Sequence, residues 1–172
     1  AFYNCFKFDG NLTIPDSVKT IGERAFDNCF KFDGDLIIPK SVKTIGNRAF
    51  YSCRKFTSLI FEAGSQLTTI EDSAFVGCSG FTGDLTIPDS VETIGEGAFQ
   101  NCSGFNGNLY IGNSVKTIGN YAFDRCVLLE KIIVSTNNIN FASEGEKILY
   151  NTNFTVLQFC LNNKSGDLII PD

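Results

Sequence analysis

Residues Val91-Glu-Thr-Ile-Gly-Glu-Gly-Ala-Phe-Gln-Asn-Cys102 decide the fold, because near-copies of this stretch recur along the chain. An Ala-Phe pair marks each copy, and its phenylalanines stand 24, 24, 25, 24 and 24 residues apart. A period this regular is typical of a solenoid, in which each repeat forms one coil stacked on the previous one. The marking residues are Phe2, Phe26, Phe50, Phe75, Phe99 and Phe123.

Each repeat divides into three segments with different apolar patterns. Leu85-Thr-Ile87 alternates, which predicts a short strand with two side chains inward and one outward, and Pro88 ends it because proline cannot donate to a ladder. Val91 and Ile94 predict a second short extended or turn segment, and the glycine after Ile is expected to turn the chain at positive φ. Ala-Phe-x-x-Cys predicts one helical turn laid against the core.

Stacked copies of these segments predict a mostly β solenoid with one in-register parallel sheet, whose rungs lie about 4.8 Å apart. The third repeat is altered, because it lacks the proline and has a longer loop at residues 63–66. We interpret residues 1–172 as a single solenoid domain. The chain begins and ends within a repeat, so we expect it to be a segment of a longer protein.

Residues 135–164 interrupt the repeat. From Val134 to Ile170 the chain takes 36 residues where a regular rung takes 24. Two apolar runs, 148–150 and 155–159, flank the polar stretch Asn151-Thr-Asn153, which predicts a hairpin within an irregular rung. Residues 165–171 restart the pattern, so the solenoid is expected to continue beyond this rung.

The composition limits the function. The formal charge is −5 and the sequence contains no histidine. A nucleic-acid partner is therefore disfavoured, because phosphate binding requires clustered Lys and Arg, and the commonest general base and metal ligand is absent. No apolar stretch approaches the roughly 20 residues of a membrane span. We expect no catalytic residues, no cofactor, no metal site and no membrane insertion.

Cysteine and phenylalanine recur at fixed repeat positions. The cysteines predict a column of small buried side chains; disulfides between rungs are the rival interpretation, although parallel Cβ vectors fit disulfide geometry poorly. The phenylalanines predict core packing more than an aromatic ligand site. The columns are Cys5, Cys29, Cys53, Cys78, Cys102 and Cys126; Phe2 to Phe123 as above; and Phe8, Phe32, Phe56, Phe81 and Phe105.

The outward residue of each Leu-x-Ile strand forms the candidate binding site. We call this set the strand column: Thr13, Ile37, Ile60, Thr86, Tyr110, Ile133 and Ile169. Four of the seven residues are Ile and one is Tyr, although the pattern directs them to solvent. Either β-propensity selects them, or they form a ligand-binding stripe. A polar rim, in which two of the three charged residues are acidic, flanks the column at Asn11, Asp35, Asp84, Asn108 and Lys131.

The phrase Leu-x-Ile-Pro-x-Ser-Val-x-x-Ile-Gly-x-x-Ala-Phe-x-x-Cys resembles the BspA-like, or treponemal, class of leucine-rich repeats over residues 1–134 and 165–172. The segment at 148–157 is similar to an irregular rung of that family. The resemblance implies an α/β-type leucine-rich-repeat solenoid that is mostly β, in a secreted or cell-surface protein that is often an adhesin. It implies no catalytic residues.

These observations favour a non-catalytic module that binds a protein or a glycan through the strand column. The first alternative is a structural array, in which the repeats act as a spacer or pack on a fixed partner in an assembly. That protein could be intracellular, because unpaired thiols are compatible with a reducing compartment. An enzyme is the second alternative, and scattered carboxylate pairs such as Glu92 with Glu96 are its only support.

Overall fold

The computed structural model describes residues 8–153 and 155–161 as a mostly β solenoid of stacked turns, as predicted. No helix is present in this part of the chain. The strands are β1 (Gly10–Asn11), β2 (Thr20–Ile21), β3 (Phe32–Ile38), β4 (Thr44–Ile45), β5 (Phe56–Phe61), β6 (Thr69–Ile70), β7 (Leu85–Thr86), β8 (Thr93–Ile94), β9 (Leu109–Ile111), β10 (Thr117–Ile118), β11 (Ile132–Val134), β12 (Phe141–Glu144), β13 (Ile148–Asn151) and β14 (Leu157–Cys160).

The Leu-x-Ile strands pair in parallel and in register, but they form two sheets where one was predicted. One sheet has the order β1-β3-β5 and the other β11-β9-β7. The break coincides with a change of sequence, from Arg54-Lys55 before β5 to Ser79-Gly80 before β7. A Cβ on Gly80 would lie 2.3 Å from the carbonyl oxygen of Arg54. The backbone therefore passes very close to the preceding rung at this point, and the strand begins later.

The Thr-Ile pairs form a continuous five-stranded parallel sheet, in the order β10-β8-β6-β4-β2. Each of its strands has only two residues, with the Ile side chain buried. The glycine that follows this Ile was expected to adopt positive φ, and that expectation is wrong. Gly46 is required by close contact instead, because a Cβ there would lie 2.7 Å from the backbone nitrogen of Glu23 in the preceding rung.

The Ala-Phe-x-x-Cys segments form linked turns instead of the predicted helical turn. In the first rung the N–H groups of Arg24, Phe26 and Asn28 donate to carbonyls of the next rung at 2.7–2.8 Å. The alternate N–H groups, such as that of Cys29, close turns within the rung. This alternation needs positive φ at Arg24 (51°) and Asn28 (59°). The turns gain a ladder between rungs, which one helical turn would not provide.

Aromatic stacking along the solenoid axis fills the core, and the predicted Phe columns are confirmed for the described rungs. Phe75 stacks on Phe50 and Phe99 with ring centroids 5.4 and 5.1 Å apart. All three side chains are fully buried. Phe8 is the exception, at 57% exposure. Phe2 and Cys5 lie outside the described residues.

The irregular rung covers the end of this stack. Strands β12, β13 and β14 form a separate antiparallel sheet, in which β13 pairs with β14. Phe159 approaches Phe123 with ring centroids 5.8 Å apart. The repeat restart predicted at residues 165–171 lies outside the described residues.

Amide side chains of this rung replace backbone donors that a regular rung would supply. The N–H of Gly119 donates to the carbonyl of Ile94 at 2.8 Å, and one rung later Gln158 Nε2 donates to the carbonyl of Ile118 at 2.9 Å. Asn138 Nδ2 similarly donates to two carbonyls, those of Gly112 and Val115. The edge of the five-stranded sheet is thereby hydrogen-bonded without a further parallel strand.

Candidate functional site

The cysteine column is structural, as the buried-column interpretation predicted. All five described members are buried, and Cys53, Cys78, Cys102 and Cys126 are free thiols. Each thiol from the second rung onward donates to the carbonyl of the Ala-Phe phenylalanine one rung back; Cys53 Sγ, for example, lies 3.0 Å from the oxygen of Phe26. Burial raises the pKa of Cys78 to about 12 and that of Cys126 to about 12. These thiols therefore stay protonated and do not act as nucleophiles.

Asp27 is a buried carboxylate held between the arginines of two consecutive rungs. Its Oδ2 lies 3.6 Å from Arg24 Nε and 3.5 Å from Arg48 Nε, and Asn28 Nδ2 donates to its Oδ1 at 2.8 Å. Burial raises the pKa of the carboxyl, while the two arginines lower it. The group is enclosed by guanidinium and amide partners, so it joins the rungs and is not positioned as a catalytic acid.

Ile37 and Ile60 are the most exposed apolar members of the strand column. They are direct partners in the register of β3 and β5 and are 43% and 41% exposed. The residues before and after Ile37, Leu36 and Ile38, are fully buried. The strand therefore alternates as predicted and presents two adjacent isoleucines to solvent.

The sheet break divides the remaining members of the strand column. Thr86, Tyr110 and Ile133 are successive register partners in the second sheet. Thr86 is exposed, whereas Tyr110 and Ile133 are half-buried. Tyr110 accepts a hydrogen bond from Asn108 Nδ2 at 3.2 Å. Thr13 is exposed but lies beyond the end of β1, and Ile169 lies outside the described residues. The structure thus brings the column together as two groups.

A notch of about 520 Å³ lies between the two groups, and the sequence interpretation missed it. Ile60 and Phe61 line one side, Thr86 and Pro88 line the other, and the loop at 63–65 closes one end. The longer loop of the altered third repeat was the available signal. The notch itself depends on the sheet break, which a side-chain pattern does not report.

Aspartates at the rim, and Asp89 beside it, accept hydrogen bonds from the next rung. Asp84 Oδ1 accepts the N–H of Asn108 at 2.7 Å, and Asp89 Oδ1 accepts the N–H of Asn113 at 3.0 Å, in each case from the next rung. Asp35 accepts a hydrogen bond from the Ser58 hydroxyl. Within residues 8–153 and 155–161, no group of three His, Cys, Asp or Glu is arranged to hold a metal ion. The same residues include no helix long and apolar enough to cross a membrane.

Known proteins similar to this chain include one family of repeat proteins and several solved structures. The family described as "BspA type Leucine rich repeat region (6 copies)" matches residues 1–103 and 68–165. No curated protein matches the chain. Solved structures similar to this chain include a leucine-rich repeat protein from Eubacterium ventriosum ATCC 27560, with 30% identity, a TM-score of 0.73 and coverage of 86% of this chain and 37% of that one.

Two further solved structures are similar to this chain. A leucine-rich repeat protein from Bacteroides ovatus ATCC 8483 has 33% identity and a TM-score of 0.67, with coverage of 80% of this chain and 34% of that one. The pneumococcal vaccine antigen PcpA has 25% identity and a TM-score of 0.61, with coverage of 92% and 48%. The chain thus spans between about a third and about a half of the length of these relatives.

Proposed function

Because the chain belongs to the BspA-type leucine-rich repeat family, we propose that it is a non-catalytic binding module of a cell-surface or secreted protein. It engages a protein or glycan ligand through the strand column, and residues 1–172 act as one solenoid domain. Surface display is supported by one similar structure, which is a vaccine antigen.

The observation that carries the binding proposal is the pair Ile37 and Ile60 beside the notch. Exposing one isoleucine on a strand is ordinary, and β-propensity alone favours it. Two isoleucines in register, next to a concavity lined by Phe61 and Pro88, form a contiguous apolar surface with a polar rim. Such patches are typical of interaction sites.

The proposal of a non-catalytic role depends on the residues that are present. The chain has no histidine, and the buried thiols are held protonated. Among residues 8–153 and 155–161, the one buried carboxylate is Asp27, and it is enclosed by two arginines. None of these groups offers a base or nucleophile of suitable pKa at an open surface.

A structural array is the second candidate, and the free cysteines favour it. Cys53, Cys78, Cys102, Cys126 and Cys160 are unpaired, which suits a reducing compartment as well as a surface. In that case the strand column would pack on a fixed neighbour in an assembly.

A ligand screen with charge-matched variants tests the binding proposal. The test variant combines Ile37→Lys, Ile60→Lys and Tyr110→Lys; the control combines Thr20→Lys, Thr117→Lys and Tyr121→Lys, three exposed positions outside the column. We expect a protein or glycan ligand that the wild type and the control bind and the test variant does not. A ligand that both variants bind equally would place binding elsewhere, and the absence of any ligand would favour the array.

A further inference from the structure

A cationic corner lies where the turns of the first two rungs lead into β3 and β5. We define it as Asn28, Phe30 and Lys31 of one rung together with Ser52, Arg54 and Lys55 of the next. Five of these six residues line a cleft of about 550 Å³, and Lys31 adjoins it in sequence. Lys31 and Ile37 are six residues apart in an extended segment, or about 20 Å, so this cleft is separate from the strand column.

The charges of the corner are available to a ligand. Lys31, Arg54 and Lys55 are exposed. None of the three forms an ion pair with a carboxylate within the described residues, whereas Arg48, Lys116 and Lys131 do. Phe30 adds an aromatic ring that is 43% exposed.

Later rungs provide an internal comparison. The positions equivalent to Arg54 and Lys55 are occupied by uncharged residues: Ser79 and Gly80, Ser103 and Gly104, and Val127 and Leu128. Residues 8–55 contain eight Lys and Arg against six Asp and Glu, whereas residues 56–161 contain four against eleven. The positive charge is therefore local to two rungs of an acidic protein.

We propose that the cationic corner binds an acidic glycan. Carboxylate or sulfate groups on neighbouring sugars pair with Lys31, Arg54 and Lys55, and the ring of Phe30 packs on the apolar face of a sugar. Two rungs span about 10 Å, which suits two or three sugars. A nucleic acid, with one charge per about 1.7 Å of duplex, would extend over the acidic rungs and be repelled.

Calorimetric titration at low salt tests this proposal. The probes are a heparin tetrasaccharide, a tetragalacturonate, neutral chitotetraose and the oligonucleotide (dT)4. The test variant is Arg54→Gln with Lys55→Gln, and the control, Lys116→Gln with Arg125→Gln, removes the same charge from other exposed positions. We expect one or both acidic glycans to bind, with affinity reduced about tenfold or more in the test variant and little changed in the control. The two acidic probes distinguish sulfate from carboxylate recognition.

A variant of Phe30 tests whether the aromatic ring contributes to glycan binding. Phe30→Leu keeps an apolar side chain but removes the ring, and we expect it to weaken glycan binding several-fold. The proposal is overturned if neither acidic glycan binds, if both charge variants lose affinity equally, or if (dT)4 binds as well as the glycan. An unchanged affinity in Phe30→Leu would overturn the stacking assignment. The strand-column variant should bind the acidic glycan at least as well as the wild type, so this test stands apart from the ligand screen.

Discussion

The thiol of Cys78 donates a hydrogen bond to the carbonyl oxygen of Phe50, 3.0 Å away in the preceding rung. That same oxygen also accepts the N–H of Cys53 in its own rung. One carbonyl thus joins a turn within a rung to a side chain of the next. Cysteine suits this position because it is small, apolar and able to donate one weak hydrogen bond.

We predict that the cysteine column is chemically silent in the native state. With iodoacetamide at pH 8, mass spectrometry should find Cys160, which is partly exposed, alkylated well before Cys53, Cys78 or Cys102. The reason is that burial raises the pKa of the column thiols and removes them from contact with the reagent. Equal alkylation of Cys78 and Cys160 in folded protein would contradict this.

The same pKa shifts predict that stability falls in alkaline solution. The unfolded chain releases thiol protons above its ordinary pKa of about 8.5, whereas the folded chain retains them because burial raises the pKa of Cys78. The unfolded state therefore binds fewer protons there, and the free energy of unfolding decreases as pH rises. Urea denaturation from pH 7 to pH 10 should show this decline. A variant with Cys78→Ala and Cys102→Ala should show a shallower decline.

We expect Phe99→Ala to destabilise the solenoid by about 3–5 kcal/mol. Its ring lies between those of Phe75 and Phe123, with centroids 5.1 and 5.7 Å away, and truncation leaves a cavity in a fully buried stack. Tyr121→Ala is the control, because that side chain is 66% exposed. Chemical denaturation measures both, and similar losses in the two variants would mean that the stack does not govern stability.

The glycines after Ile offer a matched pair. Gly46→Ala should destabilise the protein by about 1–3 kcal/mol, because its Cβ would press on the backbone of Gly22 and Glu23. Gly22 occupies the same repeat position, and an added Cβ meets no described atom within 4 Å. Gly22→Ala should therefore cost little. Thermal unfolding of the two variants compares them directly, and equal shifts would show that backbone freedom, not close contact, selects glycine.

The amides of the irregular rung should protect the last regular rung. Asn138→Ala removes donors to Gly112 and Val115 and an acceptor for the N–H groups of Asn140 and Phe141. We expect a loss of about 2–3 kcal/mol and faster amide hydrogen exchange at Phe141. Exchange near Ile45, four rungs from Phe141, serves as the reference. If both regions exchange faster by the same factor, the effect is global and the capping role is wrong.

Strictly repeated side-chain positions made much of the fold predictable. The columns that include Phe50 and Cys78 follow from the period alone, because every copy must occupy an equivalent place in a stack. The sheet break near Gly80, the turn ladder at Arg24 and the capping amide of Gln158 could not be predicted. Each depends on the distance between backbones of adjacent rungs, which no residue pattern records. The outward exposure of Ile37 and Ile60 follows from the alternation of β3 and β5, but the notch beside Ile60 does not follow from any pattern.

The central claim is that a ligand contacts the strand column, and photo-crosslinking tests it most directly. Benzoylphenylalanine would replace Ile60 in one protein and Tyr121, which is exposed on the turns, in another. After irradiation in native extract, we predict an adduct from position 60, its loss when Ile37→Lys is added, and no adduct from position 121. An adduct from position 121 alone, or one at position 60 that persists with Ile37→Lys, would contradict the account.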